Sequence, residues 1–194
     1  MTAEIRVEIG GAVLGRALLD PICVLYDEVF SAPTFFWRED ESELHRQRLV
    51  RLLDDPTFGI VVARAGSEVV GFAYGVLVPP DTTRWAGLIG EASPELVGEW
   101  PGRTFLFFDY AVRASWRGQG IGRELHDGLL GSRPEERATL TVQPTAKDTK
   151  AIYEHWGWRQ VGQVDGGPAA PAPVFDVYVR DTLADLRTAA QAMP

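Results

Sequence analysis

Between residues 105 and 130 an apolar run, Phe105-Leu-Phe-Phe-Asp-Tyr-Ala-Val112, passes into a glycine-rich turn, Arg117-Gly-Gln-Gly-Ile-Gly-Arg123. An amphipathic segment follows, with Ile121, Leu125 and Leu129 at spacing four. A strand this hydrophobic belongs at the centre of a sheet, and a spacing of four is that of a helix. The turn therefore joins a buried strand to a helix N-terminus. Closely spaced glycines let backbone N–H groups point at a single anion, and the helix dipole adds partial positive charge there. With Arg117 and Arg123 to neutralise the remainder, the segment is a cradle for a pyrophosphate.

Two familiar cradles do not fit. A P-loop requires Lys and Ser or Thr after its last glycine, and Arg123-Glu124 follows Gly122. The dinucleotide fingerprint needs its third glycine one position later, at the first strand–helix turn, and an acidic residue after the next strand. Here the turn falls late in the chain and Gln143 ends the next strand.

The remaining sequence predicts one mixed α/β domain without a linker. Glu4 to Ile9 alternates as a first strand. Asp20-Pro21 reads as N-cap and first residue of a helix carrying Ile22, Leu25, Tyr26 and Val29. Asp40 with Glu43 forms a capping-box pattern opening a second helix, to about Leu53, with Leu44, Leu49, Leu52 and Leu53 inward. Phe58–Ala65 and Val69–Val78 form a hairpin around Gly66-Ser67. Residues 79–102 have no clean period and read as a long loop with a helical turn near Pro94–Val97. After the central strand and its helix come strand Ala138–Val142, helix Thr145–Trp156, and strands Trp158–Val164 and Val174–Val179. That makes about seven strands and about four helices, and the tail from Asp181 reads as a short, marginal helix.

At 194 residues the chain has room for a sizeable core. A net charge of −8 argues against general nucleic-acid binding. The single cysteine, Cys23, sits in an apolar helical stretch and reads as a buried thiol, and no Cys/His cluster has metal-ligand spacing. Met1 to Ile9 carries no secretory core, and Val69–Pro80 is too short to cross a bilayer, so a cytoplasmic location is expected.

The turn also fits the pattern [RQ]xxGx[GA] through Arg117, Gly120 and Gly122, and by it the chain resembles the GNAT superfamily of acyl-CoA-dependent N-acyltransferases. The resemblance extends over nearly the whole chain, including Tyr153-Glu-His-Trp-Gly157-Trp158, whose tyrosine lies 31 residues beyond Gly122. It implies a single domain over 1–182 with a tail at 183–194. Its mixed, mostly antiparallel sheet would be splayed at the central strand. It implies acetyl-CoA as co-substrate, with its pantetheine arm paired to the main chain of Ala111, Val112 and Arg113. The pyrophosphate would lie on Arg117, Gly118, Gln119, Gly120, Ile121, Gly122 and Arg123. A homodimer is common in the family.

By the same resemblance Tyr153 matches the tyrosine beside the thioester sulfur, where a phenol can donate to a departing thiolate. Asp109 is the candidate base, because a lone carboxylate in the apolar strand is costly to bury unpaired. Glu91, Glu95 and Glu99 are weaker candidates. Lys147, Lys150 and Arg159 are weighed for the 3′-phosphate and read as solvated charges. Two family positions depart: Ala146 replaces a frequent Asn, and Thr149 a small residue. The acceptor, a primary amine of a small molecule or peptide, is expected between the two N-terminal helices, their connecting loop and loop 79–102. Phe35, Phe36, Trp37, Trp85 and Trp100 cluster in these loops. His45, His126 and His155 read as surface or cap residues. The alternatives are a non-catalytic acyl-CoA-binding module, a nucleotide-dependent oxidoreductase, and a peptide binder in which the glycines serve packing alone.

Overall fold

In a computed structural model describing residues 4–191, strand β1 (Ile5–Gly10) leads into helices α1 (Ala12–Ala17), α2 (Leu19–Phe30) and α3 (Glu41–Leu52). Then come β2 (Gly59–Ala65), β3 (Glu68–Leu77), a two-residue β4 (Ile89–Gly90), α4 (Pro94–Val97) and β5 (Thr104–Val112). A 3-10 turn, Ala114–Trp116, precedes α5 (Ile121–Gly131), β6 (Arg137–Val142), α6 (Lys147–His155), β7 (Arg159–Asp165), β8 (Val174–Arg180) and α7 (Ala184–Gln191). The first three residues of the predicted N-terminal stretch and the last three of the tail lie outside the described residues.

The eight strands form one sheet in the order β1-β2-β3-β5-β6-β8-β7-β4. Both faces of β2 and β3 are covered, which is why these strands read as continuous apolar runs. Val61, Ala63, Val70 and Ala73 pack with Leu125 and Leu129 of α5 on one face. Ile60, Val62, Phe72 and Tyr74 pack with Ile22, Leu25 and Leu49 of α2 and α3 on the other.

All pairings are antiparallel except β5 with β6, and that one joins only Thr104, Phe105 and Leu106 to Arg137, Ala138 and Thr139. Beyond Leu106 the two strands part, leaving one edge of β5 open. A buried polar cluster pins the short seam. Arg137 donates to Thr104 Oγ1 (2.8 Å), the Leu96 carbonyl (2.8 Å) and Glu99 Oε1 (2.9 Å), and Thr104 donates to the same carboxylate. On its other edge β5 carries a bulge: Tyr74 pairs with Asp109, and the next partner of β3, Gly75, pairs with Phe107.

Several expectations need correction. The sheet has eight strands because Ile89–Gly90 adds a short edge to β7, and there are seven α-helices among the described residues. Helix α1 was not foreseen: its Gly15 lies so close to α3 that a Cβ there would stand 2.5 Å from Leu53 Cδ2. Helix α2 starts at Leu19, so Asp20 lies in its first turn and is not the cap. Asp40 does precede α3 but makes no side-chain cap bond; Arg38 holds its carboxylate through Nε and Nη2, both at 2.9 Å. From residue 183 onward, Leu183 and Leu186 enter the core beside α5. Among the described residues no helix is long and apolar enough to cross a membrane.

Candidate active site

The parting of β5 and β6 opens into a cavity of about 1350 Å³. Its floor is the open edge of β5. One arm runs to the glycine turn and the start of α6, and the other lies under α2, α3 and loop 166–173.

In the glycine turn, Gly118 and Gly120 adopt φ of +75° and +84°, which side chains disfavour, and a Cβ at either would meet nothing within 4 Å. Conformation and open space, not packing, thus select glycine at these two positions. Gly122 has the opposite reason: a Cβ there would collide with the Tyr110 hydroxyl. Arg117 donates from Nε to the Val112 carbonyl (3.0 Å), and Arg123 pairs with Asp127 (2.5 Å).

The antiparallel register decides which main-chain groups of β5 face the gap. The Arg113 N–H donates to the Val70 carbonyl (2.8 Å), so residues 113 and 111 form the hydrogen-bonded pairs with β3. Only Val112, of the three main-chain positions expected to meet the cofactor, turns to the open edge, and Tyr110 joins it there. Arg113 also spends its side chain elsewhere, on Glu28 and Glu68.

Tyr153 stands on α6 and is 6% exposed. Its hydroxyl makes no hydrogen bond with the described residues, and the side chain lines the cavity. Burial pushes its phenol well above the usual 10, helped by the nearby Tyr110 and Asp109.

Asp109 reaches the same cavity from β5, with its side chain 15% exposed. Burial raises its carboxyl from 3.8 to about 6, against the hydrogen bond from Tyr74 and the charge of Arg48. The Tyr74 hydroxyl donates to Asp109 and accepts from His45 Nε2 at 3.0 Å. His45 is fully buried, and burial, aided by Arg48, holds its imidazole down at about 3. The order of bonds is therefore a neutral His45 N–H to Tyr74 O–H to Asp109 carboxylate. Tyr26 stacks on His45 with centroids 3.5 Å apart and donates to Glu41 (2.9 Å), which Arg48 also binds (2.6 Å).

Two histidines thus contradict the surface assignment. His45 belongs to the buried stripe Glu41, His45, Leu49, Leu53. His126 is buried in the core, accepting from Trp158 Nε1 at 2.9 Å and facing Asp127 at 2.6 Å. His155 is exposed in the last turn of α6. Spacing four from Leu49 was the available signal for His45. Nothing marked Tyr74, Arg48 or Arg84 as site residues.

Other candidates fall away from the cavity. Glu99 is committed to Arg137 (2.9 Å), Glu91 to Arg159 (2.7 Å), and neither they nor Glu95 line it. Lys150 pairs with Asp176 and Arg159 also with Asp181, leaving Lys147 at the cavity edge. From loop 79–102 only Arg84 enters; Trp85 instead packs against Val161, Val177 and Val179. Trp100 is exposed and stacks on Arg103. Phe35 lines the cavity, while Phe36 is tied by its main chain to Gln143, its N–H donating at 2.7 Å and its carbonyl accepting at 3.3 Å.

The family model described as acetyltransferase (GNAT) family matches residues 22–158, well over half the chain. The chain belongs to the GNAT acetyltransferase family. The glycine turn, the parting strands β5 and β6, Asp109 and Tyr153 all fall on that matched span, while loop 166–173 of the cavity lies beyond it. Solved structures of the same fold include PH1933 from Pyrococcus horikoshii OT3, 18% identical, covering 92% of this chain and 99% of that one at a TM-score of 0.63. Arabidopsis thaliana NAA60 in complex with acetyl-CoA is 19% identical, with coverages of 91% and 96% and a TM-score of 0.61. The ribosomal-protein-S18-alanine N-acetyltransferase from Escherichia coli is 13% identical, with coverages of 90% and 92% and a TM-score of 0.59. No curated protein matches the chain significantly in sequence. Among the described residues no three His, Cys, Asp or Glu side chains group as a metal site requires.

Proposed function

We propose that this GNAT protein transfers an acetyl group from acetyl-CoA to a primary amine of a small molecule or peptide, by direct attack with both substrates bound. The observation that carries the reading is the single cavity that joins an open glycine cradle, an unpaired strand edge, an unpartnered phenol and a carboxylate. The residues present fit the donor. Gly118 and Gly120 leave the turn clear for a pyrophosphate on the amides of 117–123. Val112 and Tyr110 offer main-chain groups to an extended pantetheine, as an added strand would need. Bound there, the donor supplies an acyl group activated as a thioester.

Asp109, titrating near 6, is ionised at neutral pH. It attracts an ammonium group and takes a proton from it, freeing the lone pair for attack on the acyl carbon. The bond from Tyr74 fixes which carboxylate oxygen stays free. Tyr153 remains protonated throughout the working range. It meets the departing sulfur as an O–H donor, stabilising charge that grows as the carbon–sulfur bond breaks.

Thermal shift with CoA and acetyl-CoA, on the wild type and on Gly120→Trp, tests the reading. Ligand at 100 times its dissociation constant stabilises by about 2.7 kcal/mol. A rise in the wild type that the variant lacks, followed by amine-dependent thiol release, is the expected result. A wild type that shifts with neither ligand sinks the assignment.

A further inference from the structure

The acceptor half of the cavity holds a charge that the chemistry above does not use. Arg84, on the loop after β3, lines the cavity. Its Nε and Nη2 are shielded from solvent and have no hydrogen-bond partner, and the guanidinium forms no ion pair among the described residues. Every other arginine that lines the cavity is bonded: Arg48 to Glu41, Arg117 to Val112 and Arg123 to Asp127. Arg48, also a lining residue, keeps Nη1 shielded and without a partner. Desolvation lowers Arg84 to about 10, which leaves it charged at neutral pH. Glu99 attracts it from beyond bonding distance and does not offset the burial; a cation stripped of water and without a carboxylate in contact is costly, and a planar fork with free N–H groups is shaped for a carboxylate.

We propose that the acceptor amine carries a carboxylate, and that Arg84 is the residue that binds it, with Arg48 Nη1 as an auxiliary donor. The acceptor is then an amino acid or another amino-carboxylate, not a polycation. The amine end lies at Asp109 and the carboxylate end at Arg84, so the two charges of the zwitterion select its orientation. This rests on the acetyl-transfer reading for the role of the ligand, and on Arg84 alone for its charge.

The test uses matched pairs that differ only in the carboxylate: leucine with isoamylamine, phenylalanine with phenethylamine, and 5-aminovalerate with butylamine. Binding is read by thermal shift with CoA present, and turnover by thiol release with acetyl-CoA. At least one amino acid should stabilise the wild type where its partner amine does not. In Arg84→Gln the affinity for that amino acid should fall about 10- to 100-fold, the size of a lost charge-assisted contact. The CoA shift should stay unchanged, showing that the variant folds, and Arg84→Lys should recover part of the loss. Equal stabilisation by both members of every pair, or by neither, overturns the proposal, as does an Arg84→Gln variant that keeps the preference. A failure of acetyl transfer itself looks different: carboxylate-selective binding persists and thiol release is absent.

Discussion

Replacing Tyr74 by Phe removes one oxygen from the site, and the structure gives the size of the effect. That hydroxyl donates to Asp109 and opposes the burial that lifts the carboxyl to about 6. A hydrogen bond to a charged group contributes about 1.5–3 kcal/mol, and each pKa unit corresponds to about 1.4 kcal/mol. Without the bond Asp109 should therefore titrate roughly one to two units higher, at about 7 to 8. If Asp109 must be ionised to act, activity rises with pH through its pKa. The acid limb of kcat/KM should then move from about 6 in the wild type to about 7–8 in Tyr74→Phe. At pH 7 the ionised fraction drops from about nine-tenths to between about one-half and one-tenth, a loss of about two- to tenfold. Above pH 9 the two proteins should converge. The assay is thiol release at low substrate across pH 5.5 to 9.5, since kcat/KM reports the free enzyme's groups. A limb that stays near 6 while activity falls uniformly at every pH would refute Asp109 as the base.

Tyr153→Phe should lower kcat by about 100-fold or more and change the CoA thermal shift little, because the hydroxyl is one contact among the many made along the cradle and strand edge; an unaltered kcat removes it from the reaction. Acid should destabilise the fold starting near pH 6.5. Burial depresses His45 and His126, so below the unfolded value of about 6.5 the unfolded chain binds protons that the native one does not. Asp109, raised to about 6, takes up a proton in the native state over the same range and opposes this, but one carboxyl against two histidines leaves a net loss of stability as pH falls from about 7 to about 5.5. Denaturant midpoints should fall between about pH 7 and about 5.5, less so in His45→Gln, and flat midpoints would contradict the buried neutral assignment.

The sequence was most legible where local chemistry and tertiary packing agree. Every predicted strand lies within about a residue of its observed bounds, because β2, β3 and β5 are apolar on both faces. The glycine cradle was legible too, since positive φ at Gly118 and Gly120 is a local demand. The acceptor side was not. Helix α3 has so few apolar residues that Leu44 was assigned inward, when the stripe that packs is Glu41, His45, Leu49 and Leu53. The spacing of four from Leu49 is the one periodic sign that His45 turns inward, and it gains weight only from Tyr74 and Tyr26, which bond to and stack on the ring. Arg84 was hidden in the same way, because a loop without a period does not reveal which of its side chains turns inward. The direction of main-chain groups in β5 depended on register with β3, which no single strand encodes.

The three-residue seam between β5 and β6 acts as a fulcrum. Asp109 rides on one side of it and Tyr153 on the other, so the span from base to acid is set by an angle fixed several residues away. From Leu106 to Asp109 the open-edged part of β5 is about 10 Å long at about 3.3 Å per residue. A rotation of about six degrees at the seam displaces the carboxylate by about 1 Å, an error that costs on the order of 100-fold in an oriented reaction. The Arg137, Thr104 and Glu99 cluster, remote from every reacting atom, thereby sets the tolerance of the whole site. Because the pair is buried, removing Glu99 or Arg137 should lower stability, and any shift of the seam that survives folding should appear in turnover.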